Sequence, residues 1–253
     1  MNVGKYSVAS QLFSLVLLFA PTLPIASALY AQSTGKGTAK ANDLEDATFK
    51  FKINPRVPGL RFRVFFEPND SNDEDIRPSV RSIEVFRGAS NRPLQTLTGC
   101  DYSDSGGVHR EGNWFSAEDV DFDGYRDISL MNWDGRNASG CVWLYNLVVG
   151  RFEYSEEFTK LGNFTLDPKT KSIYTFGSSG GGNYGQAKYT VVNHRPIEIW
   201  MKYHGYDIKK QQYRCVMKRR RGDKLVVVHS RWEDPDGDKD PLCDEMLVPV
   251  PLK

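Results

Sequence analysis

A chain of 253 residues with 40% hydrophobic and 26% charged residues can bury a core as one large all-β domain or as two ordinary ones, and 22 Gly with 13 Pro are too few for a collagen-like or wholly disordered class. Lys plus Arg at 33 against Asp plus Glu at 32 leaves no global charge to attract a nucleic acid or a membrane surface. Electrostatic recognition must therefore be local.

Residues 1–28 read as a secretory signal peptide, with a lone Lys5, an apolar stretch from Leu12 to Ala20 and a small-residue border at Ala26-Ser27-Ala28. The apolar run falls short of the roughly 20 residues that cross a bilayer, and Pro21 and Pro24 break its end. The protein is thus expected to be exported, periplasmic or secreted. Without Lys5 the remaining basic and acidic residues balance at 32 each (33 − 1 against 32). Residues 29–42 are a flexible linker in composition, and 43–253 are expected to form the folded domain.

Period-two alternation predicts strands at Phe49 to Ile53, Leu60 to Phe66, Ser82 to Phe86, Ile128 to Trp133 and Val142 to Val149. It continues at Ser172 to Phe176, Lys188 to Val192, Ile197 to Tyr203, Gln212 to Met217 and Leu225 to His229. Helical periodicity is confined to a turn at Ser155 to Leu161, too short for a βαβ crossover. The expected fold is all-β and antiparallel, one irregular domain that hides its edges either by packing two sheets or by a propeller-like arrangement.

The four cysteines, Cys100, Cys141, Cys215 and Cys243, form no C-x-x-C pair and match no zinc spacing. An even count in an exported chain implies two disulfides. Three connectivities are possible; proximity in sequence favours Cys100 with Cys141 and Cys215 with Cys243.

The sharpest chemical pattern is Asp119-Val-Asp-Phe-Asp-Gly-Tyr-Arg-Asp127, with carboxylates at relative positions 1, 3, 5 and 9 and Gly at 6. That order wraps oxygen ligands around Ca²⁺, with Asp119, Asp121, Asp123, the carbonyl of Tyr125 and Asp127 as donors. Position 12 is Leu130 instead of the bidentate Glu of helical EF-hands, and a strand follows, so the loop matches a D-x-D-x-D-G-x-x-D type and a structural role. Without a cation the same segment would be a solvated acidic turn. Asp234-Pro-Asp-Gly-Asp-Lys-Asp240 is read as a solvated loop, because Pro235 and Pro241 interrupt it, and the run Asp70 to Asp75 is weaker. His109, His194, His204 and His229 are scattered and read as surface or strand residues. Lys218-Arg-Arg-Arg221 before Gly222-Asp223 reads as a charged hairpin turn, since no aromatic stacking platform surrounds it.

Gly177-Ser-Ser-Gly-Gly-Gly-Asn-Tyr-Gly185 separates two predicted strands and lacks the Lys-Ser/Thr ending of a phosphate loop. It is expected to be a narrow hairpin tip in which Tyr184 offers an amphipathic ring. A plain flexible loop fits the composition equally well.

From Asp119 through Tyr189 the chain resembles a family of exported bacterial proteins related to the immunity proteins of antibacterial type IV secretion systems, which inhibit lysozyme-like effectors. The resemblance lies in the acidic loop, Val142-Trp-Leu-Tyr145, Gly150-Arg-Phe152, Phe164-Thr-Leu-Asp-Pro-Lys169 with Lys171, and the Ser/Gly segment ending in Tyr184-Gly185 before Tyr189. It implies a β-propeller-like fold with bound Ca²⁺ and a loop that blocks a hydrolase cleft. Carried over, it assigns Ser178, Ser179, Gly180, Asn183 and Tyr184 to contacts with a lysozyme-like peptidoglycan hydrolase as protein partner. Two other classes are weighed. A Ca²⁺-stabilised surface or glycan-binding module would use exposed aromatics such as Trp114, Trp133 and Tyr184. An enzyme could use Glu153, Glu156 and Glu157, or Ser178, but no nucleophile elbow or paired base accompanies them.

Overall fold

Alternating side chains build three consecutive antiparallel meanders in the computed structural model, which describes residues 47–67, 79–101, 114–132, 139–180, 182–237 and 240–244. The first sheet is β1 (Ala47–Phe51), β2 (Leu60–Phe66), β3 (Val80–Arg87) and β4 (Gln95–Thr96). The second is β5 (Phe115–Glu118), β6 (Asp127–Asn132), β7 (Ser139–Asn146) and β8 (Arg151–Tyr154). After the single-turn helix α1 (Glu156–Thr159), a six-stranded sheet runs in chain order through β9 (Phe164–Asp167), β10 (Ser172–Gly180), β11 (Asn183–Val192), β12 (Arg195–Asp207), β13 (Gln212–Arg221) and β14 (Lys224–Glu233). Helix α2 (Pro241–Asp244) follows. Among the described residues no helix is long and apolar enough to cross a membrane. The signal peptide and the linker lie outside the described residues.

In β2, Leu60, Phe62 and Val64 point inward while Arg61 and Arg63 do not, the period-two signature of a half-buried strand. These residues join Ile83 and Val85 of β3 against Phe115, Ile128, Leu130, Trp143 and Phe152 of the second sheet in one apolar core. A smaller core gathers Val120, Val142, Phe158 and Ile173, with Phe122, Phe164, Tyr189 and Val191 at its margin. Strand β7 serves both: Cys141, Trp143 and Tyr145 enter the first core, and Val142 the second, where Leu144 packs at the edge. Burial on two faces explains why this strand reads as the unbroken apolar run Cys-Val-Trp-Leu-Tyr instead of alternating. The middle sheet is thereby sandwiched between the other two.

Disulfides join Cys100 to Cys141 and Cys215 to Cys243. Closing loops of 41 and 28 residues, they constrain the unfolded chain by roughly 3.5–4 kcal/mol each on the chain-entropy account.

Each of the ten expected runs lies on a strand, but the short strands β4, β5, β8 and β9 were not expected, and three further differences are informative. The run Val142 to Val149 stops at Asn146, whose Oδ1 accepts the Val148 amide and turns the chain, leaving Leu147, Val148 and Val149 exposed. The Lys218 to Arg221 run is strand, not turn; β13 continues through Arg221, which pairs with Lys224 across a turn at Gly222 and Asp223. Trp114, expected at the surface, is buried against Phe49 and Phe66. Trp133 lies outside the described residues.

Truncating Trp143→Ala should cost about 3–5 kcal/mol, read as a lowered midpoint in urea unfolding, because its ring fills the core between two sheets and its Nε1–H donates to the Thr98 carbonyl.

Candidate functional site

The acidic loop connects β5 to β6 and is clamped from several sides. Asp127 opens β6 with a buried carboxylate whose Oδ2 accepts the Val120 amide at 2.8 Å and whose Oδ1 accepts the Tyr145 amide of β7 at 2.9 Å. Within the loop, Asp119 Oδ2 accepts the Gly124 amide, Asp121 Oδ1 the Asp123 amide and Asp123 Oδ1 the Tyr125 amide. Gly124 sits at φ +91°, a conformation that disfavours any side chain. Phe122, also at positive φ, packs at the edge of the smaller core. From the loop between β1 and β2, the Asn54 side-chain amide donates to the Gly124 carbonyl and Ile53 O accepts the Arg126 amide. From the six-stranded sheet, His194 Nδ1 pairs with Asp121 Oδ2. Asn193 and His194 both take positive φ in the two-residue turn between β11 and β12, which aims the imidazole at the loop.

The charges crowd. Oxygens of Asp119, Asp121 and Asp127 lie within 4.8 Å of one another, and the same holds for the ligand atoms of Asp121, Asp123 and His194. Asp119 Oδ1 is buried without a hydrogen-bond partner. Burial is the main force raising the Asp119 carboxyl above the ordinary carboxylate range, with the Gly124 amide opposing and the Asp121 charge adding. Asp123 is raised by burial first, with the Tyr125 amide opposing and the Asp121 and Asp119 charges adding. Burial pushes Asp127 up to about 8, against the Tyr145 and Val120 amides. The hydrogen bond to the Asp121 carboxylate holds the His194 imidazole above its ordinary value. Orphaned carboxylate oxygen, mutual repulsion and burial together describe a donor set that fits a hard, oxygen-seeking cation.

The Ser/Gly segment lies at the other end of β11, roughly 30 Å from the acidic loop along the ten-residue strand. Strands β10 and β11 extend almost to its tip, where Gly180 and Gly182 both have φ near +80°. Ser178 Oγ donates to the Asn183 carbonyl, and Asn183 Oδ1 accepts the Tyr206 amide. Ser179 is exposed and Gly180 half-buried. Tyr184 is engaged by its own chain instead of being offered outward. Its ring is stacked on His204, which is stacked in turn on Tyr213, and its hydroxyl donates to the Cys243 carbonyl at 2.6 Å. The expectation that Tyr184 offers its ring outward is corrected: β12 lies beside the hairpin as far as Asp207, Gly182 packs on Tyr213 of β13, and the phenol packs onto the sheet that carries it.

Three histidines read from the sequence as surface or strand residues are also paired with carboxylates: His194 with Asp121, His204 with Glu233, and His229 with Asp240. Nothing local in the sequence signals these contacts, since the partners lie 73, 29 and 11 residues apart. Asp240 is buried, not solvated as expected. Burial alone would raise its carboxyl, but the His229 bond and the Leu242 amide outweigh it and hold the group below the usual range. Asp70 to Asp75 and His109 lie outside the described residues.

Fold and site together define an antiparallel all-β protein carrying two disulfides and an acidic loop clamped between its sheets. No protein-family profile matches the chain, and no curated protein matches it. Among solved structures it is similar to a Xanthomonas type IV secretion system related protein at 13% identity and a TM-score of 0.49, over 73% of this chain and 99% of that one. A likeness at that level assigns neither fold nor function.

Asp127→Asn keeps the shape of the side chain but replaces one amide acceptor with a donor. Measured in chelator, so that no cation intervenes, it should destabilise the protein by about 2–3 kcal/mol in urea unfolding.

Proposed function

We propose that the chain is an exported, non-catalytic inhibitor of a lysozyme-like peptidoglycan hydrolase, built on a Ca²⁺-clamped scaffold and binding through the end of the six-stranded sheet at the β10–β11 tip. The observation that carries this reading is the surface at that end. Exposed Ser179 lies at the tip, and the adjoining β12–β13 end adds Tyr206 and Ile208, which is 82% exposed. Tyr206 is fixed to the tip by the hydrogen bond that its backbone amide donates to Asn183 Oδ1, and it packs edge-on against Tyr213. Apolar side chains beside hydroxyl and backbone groups on a stiff frame suit a protein partner, because little ordering entropy is lost on binding. A hydrolase cleft with two carboxylates offers acceptors to such donors. In this reading Ser178, Ser179, Gly180 and Asn183 form the contact, and Tyr184 fixes the hairpin from behind. The glycan-binding alternative loses a support, since Trp114 is core.

Asp119, Asp121, Asp123, the Tyr125 carbonyl and Asp127 would hold the Ca²⁺, which when bound neutralises the clustered carboxylates. The propeller-like arrangement implied by the resemblance belongs to the same proposal; each meander has the consecutive antiparallel order of a propeller blade.

Two measurements check this. Adding Ca²⁺ at about 100 times its Kd should stabilise the protein by about 2.7 kcal/mol, seen as a raised Tm that EDTA reverses and Asp119→Asn abolishes; an unchanged Tm rejects the cation. In turbidity assays of peptidoglycan hydrolysis, the wild-type protein should inhibit a lysozyme-like enzyme of its own or a competing cell, and Ser179→Arg should relieve that inhibition at least tenfold. No inhibition of any such hydrolase rejects the function.

A further inference from the structure

The outer part of the six-stranded sheet carries an unusual interior. One face of β11 to β14 buries Gln186, Lys202, His204 and Glu233, where apolar residues would be expected. Across this face lies the short segment 240–244, and four separate ties hold it there. Cys243 is bonded to Cys215 of β13, the Cys243 carbonyl accepts the Tyr184 hydroxyl of β11, the Leu242 carbonyl accepts the Lys202 ammonium of β12 at 3.1 Å, and Asp240 pairs with His229 of β14. Four adjacent strands are thus each fastened once. The segment itself is turned by Asp240, which accepts the Leu242 amide on Oδ1 and the Cys243 amide on its carbonyl.

Of these four ties, the one through Tyr184 reaches the hairpin proposed as the contact surface, and it reaches it at its root. Tyr184 pairs with Ser178 across the hairpin and with His204 across β12. His204 in turn bonds the Gly182 carbonyl at the tip through Nδ1 and Glu233 through Nε2. Gly182 packs so closely on Tyr213 that an added Cβ would come within 3.0 Å of the ring. The glycines leave the tip backbone permissive, so its order must come from these cross-strand contacts.

We infer that segment 240–244 is a disulfide-fastened strap that holds the β10–β11 hairpin in its presenting form through Tyr184, so that strap and hairpin make one composite surface. Tyr184 is then a positioning residue, acting on the tip through His204 and the Cys243 carbonyl. Leu242, 47% exposed on the strap, becomes part of the surface offered to the partner. This inference rests on the inhibitor reading for the use of the surface, but not for the coupling itself.

Amide hydrogen exchange on the full protein tests the coupling without any partner. Three proteins are compared: wild type, Tyr184→Phe, and the double variant Cys215→Ser with Cys243→Ser. Both variants should speed exchange in the peptide covering residues 177–185 by about fivefold or more, while peptides covering 127–146 stay at the wild-type rate. If the double variant loosens throughout, Tyr184→Phe decides alone, since it removes one hydroxyl and leaves the disulfide intact. Unchanged exchange at 177–185 in Tyr184→Phe overturns the inference. The shared surface is tested by Leu242→Arg against a hydrolase that the wild type inhibits: weakened inhibition with unaltered exchange is expected, and full inhibition removes Leu242 from the surface. A protein that shows the coupling but inhibits no hydrolase refutes the inhibitor reading and leaves the strap standing.

Discussion

One buried carboxylate ties the acidic loop to the centre of the molecule. Asp127 accepts an amide from the loop it terminates and another from the strand that both cores share, so the loop cannot move without disturbing β7. Its burial makes ionisation costly, and the neighbouring Asp121 and Asp123 charges make it costlier. A bound cation, as proposed, would relieve a cluster of carboxylates fixed in this way. Contacts from Ile53 and Asn54 in the β1–β2 loop and from His194 in the β11–β12 turn bring connections of the first and third sheets to the same loop. The acidic loop is therefore the junction at which all three sheets meet.

From that junction β11 carries order to the far end of the six-stranded sheet. The two ends are stabilised by different physics. Near the junction, apolar packing dominates, with Ile173, Phe158 and Val142 buried beside Tyr189 and Val191. At the hairpin end the face is polar, and a disulfide, a tyrosine–histidine–tyrosine stack and hydrogen bonds to a strap replace the missing apolar core. Buried polar groups fix a unique geometry when satisfied and are costly when not. Glu233 Oε1, buried without a hydrogen-bond partner, marks the expense of that arrangement.

Much of the architecture was legible because it is written in period two. Leu60 to Phe66 alternates as far as Val64 and forms β2 over those same residues, with a register shift between Phe65 and Phe66. The short strands β4, β5, β8 and β9, two to four residues each, are below the length at which alternation can be recognised. Leu147 to Val149 misled because the β-branched Val148 and Val149 favour strands while the side chain of Asn146 turns the backbone first. At the site, the D-x-D-x-D-G spacing located the loop, since its internal hydrogen bonds are local. The histidine pairings and the docking of Tyr184 on the strap depend on contacts across 11 to 73 residues, which no local pattern encodes. The same distinction explains why Tyr184 read as an exposed anchor: a tyrosine among glycines resembles a tip residue until the segment near Cys243 is placed over it.

If the clamped acidic loop holds a cation as proposed, a lanthanide should bind there in its place, and terbium luminescence reads that binding. Tyr125 lies in the loop with its ring stacked on Tyr145, 5.7 Å between centroids, so a lanthanide among the carboxylates would be sensitised by tyrosine excitation. Emission should saturate at one Tb³⁺ per chain, fall as Ca²⁺ is added, and be lost in Asp119→Asn. Absence of sensitised emission, or emission indifferent to both Ca²⁺ and Asp119→Asn, would contradict the proposal.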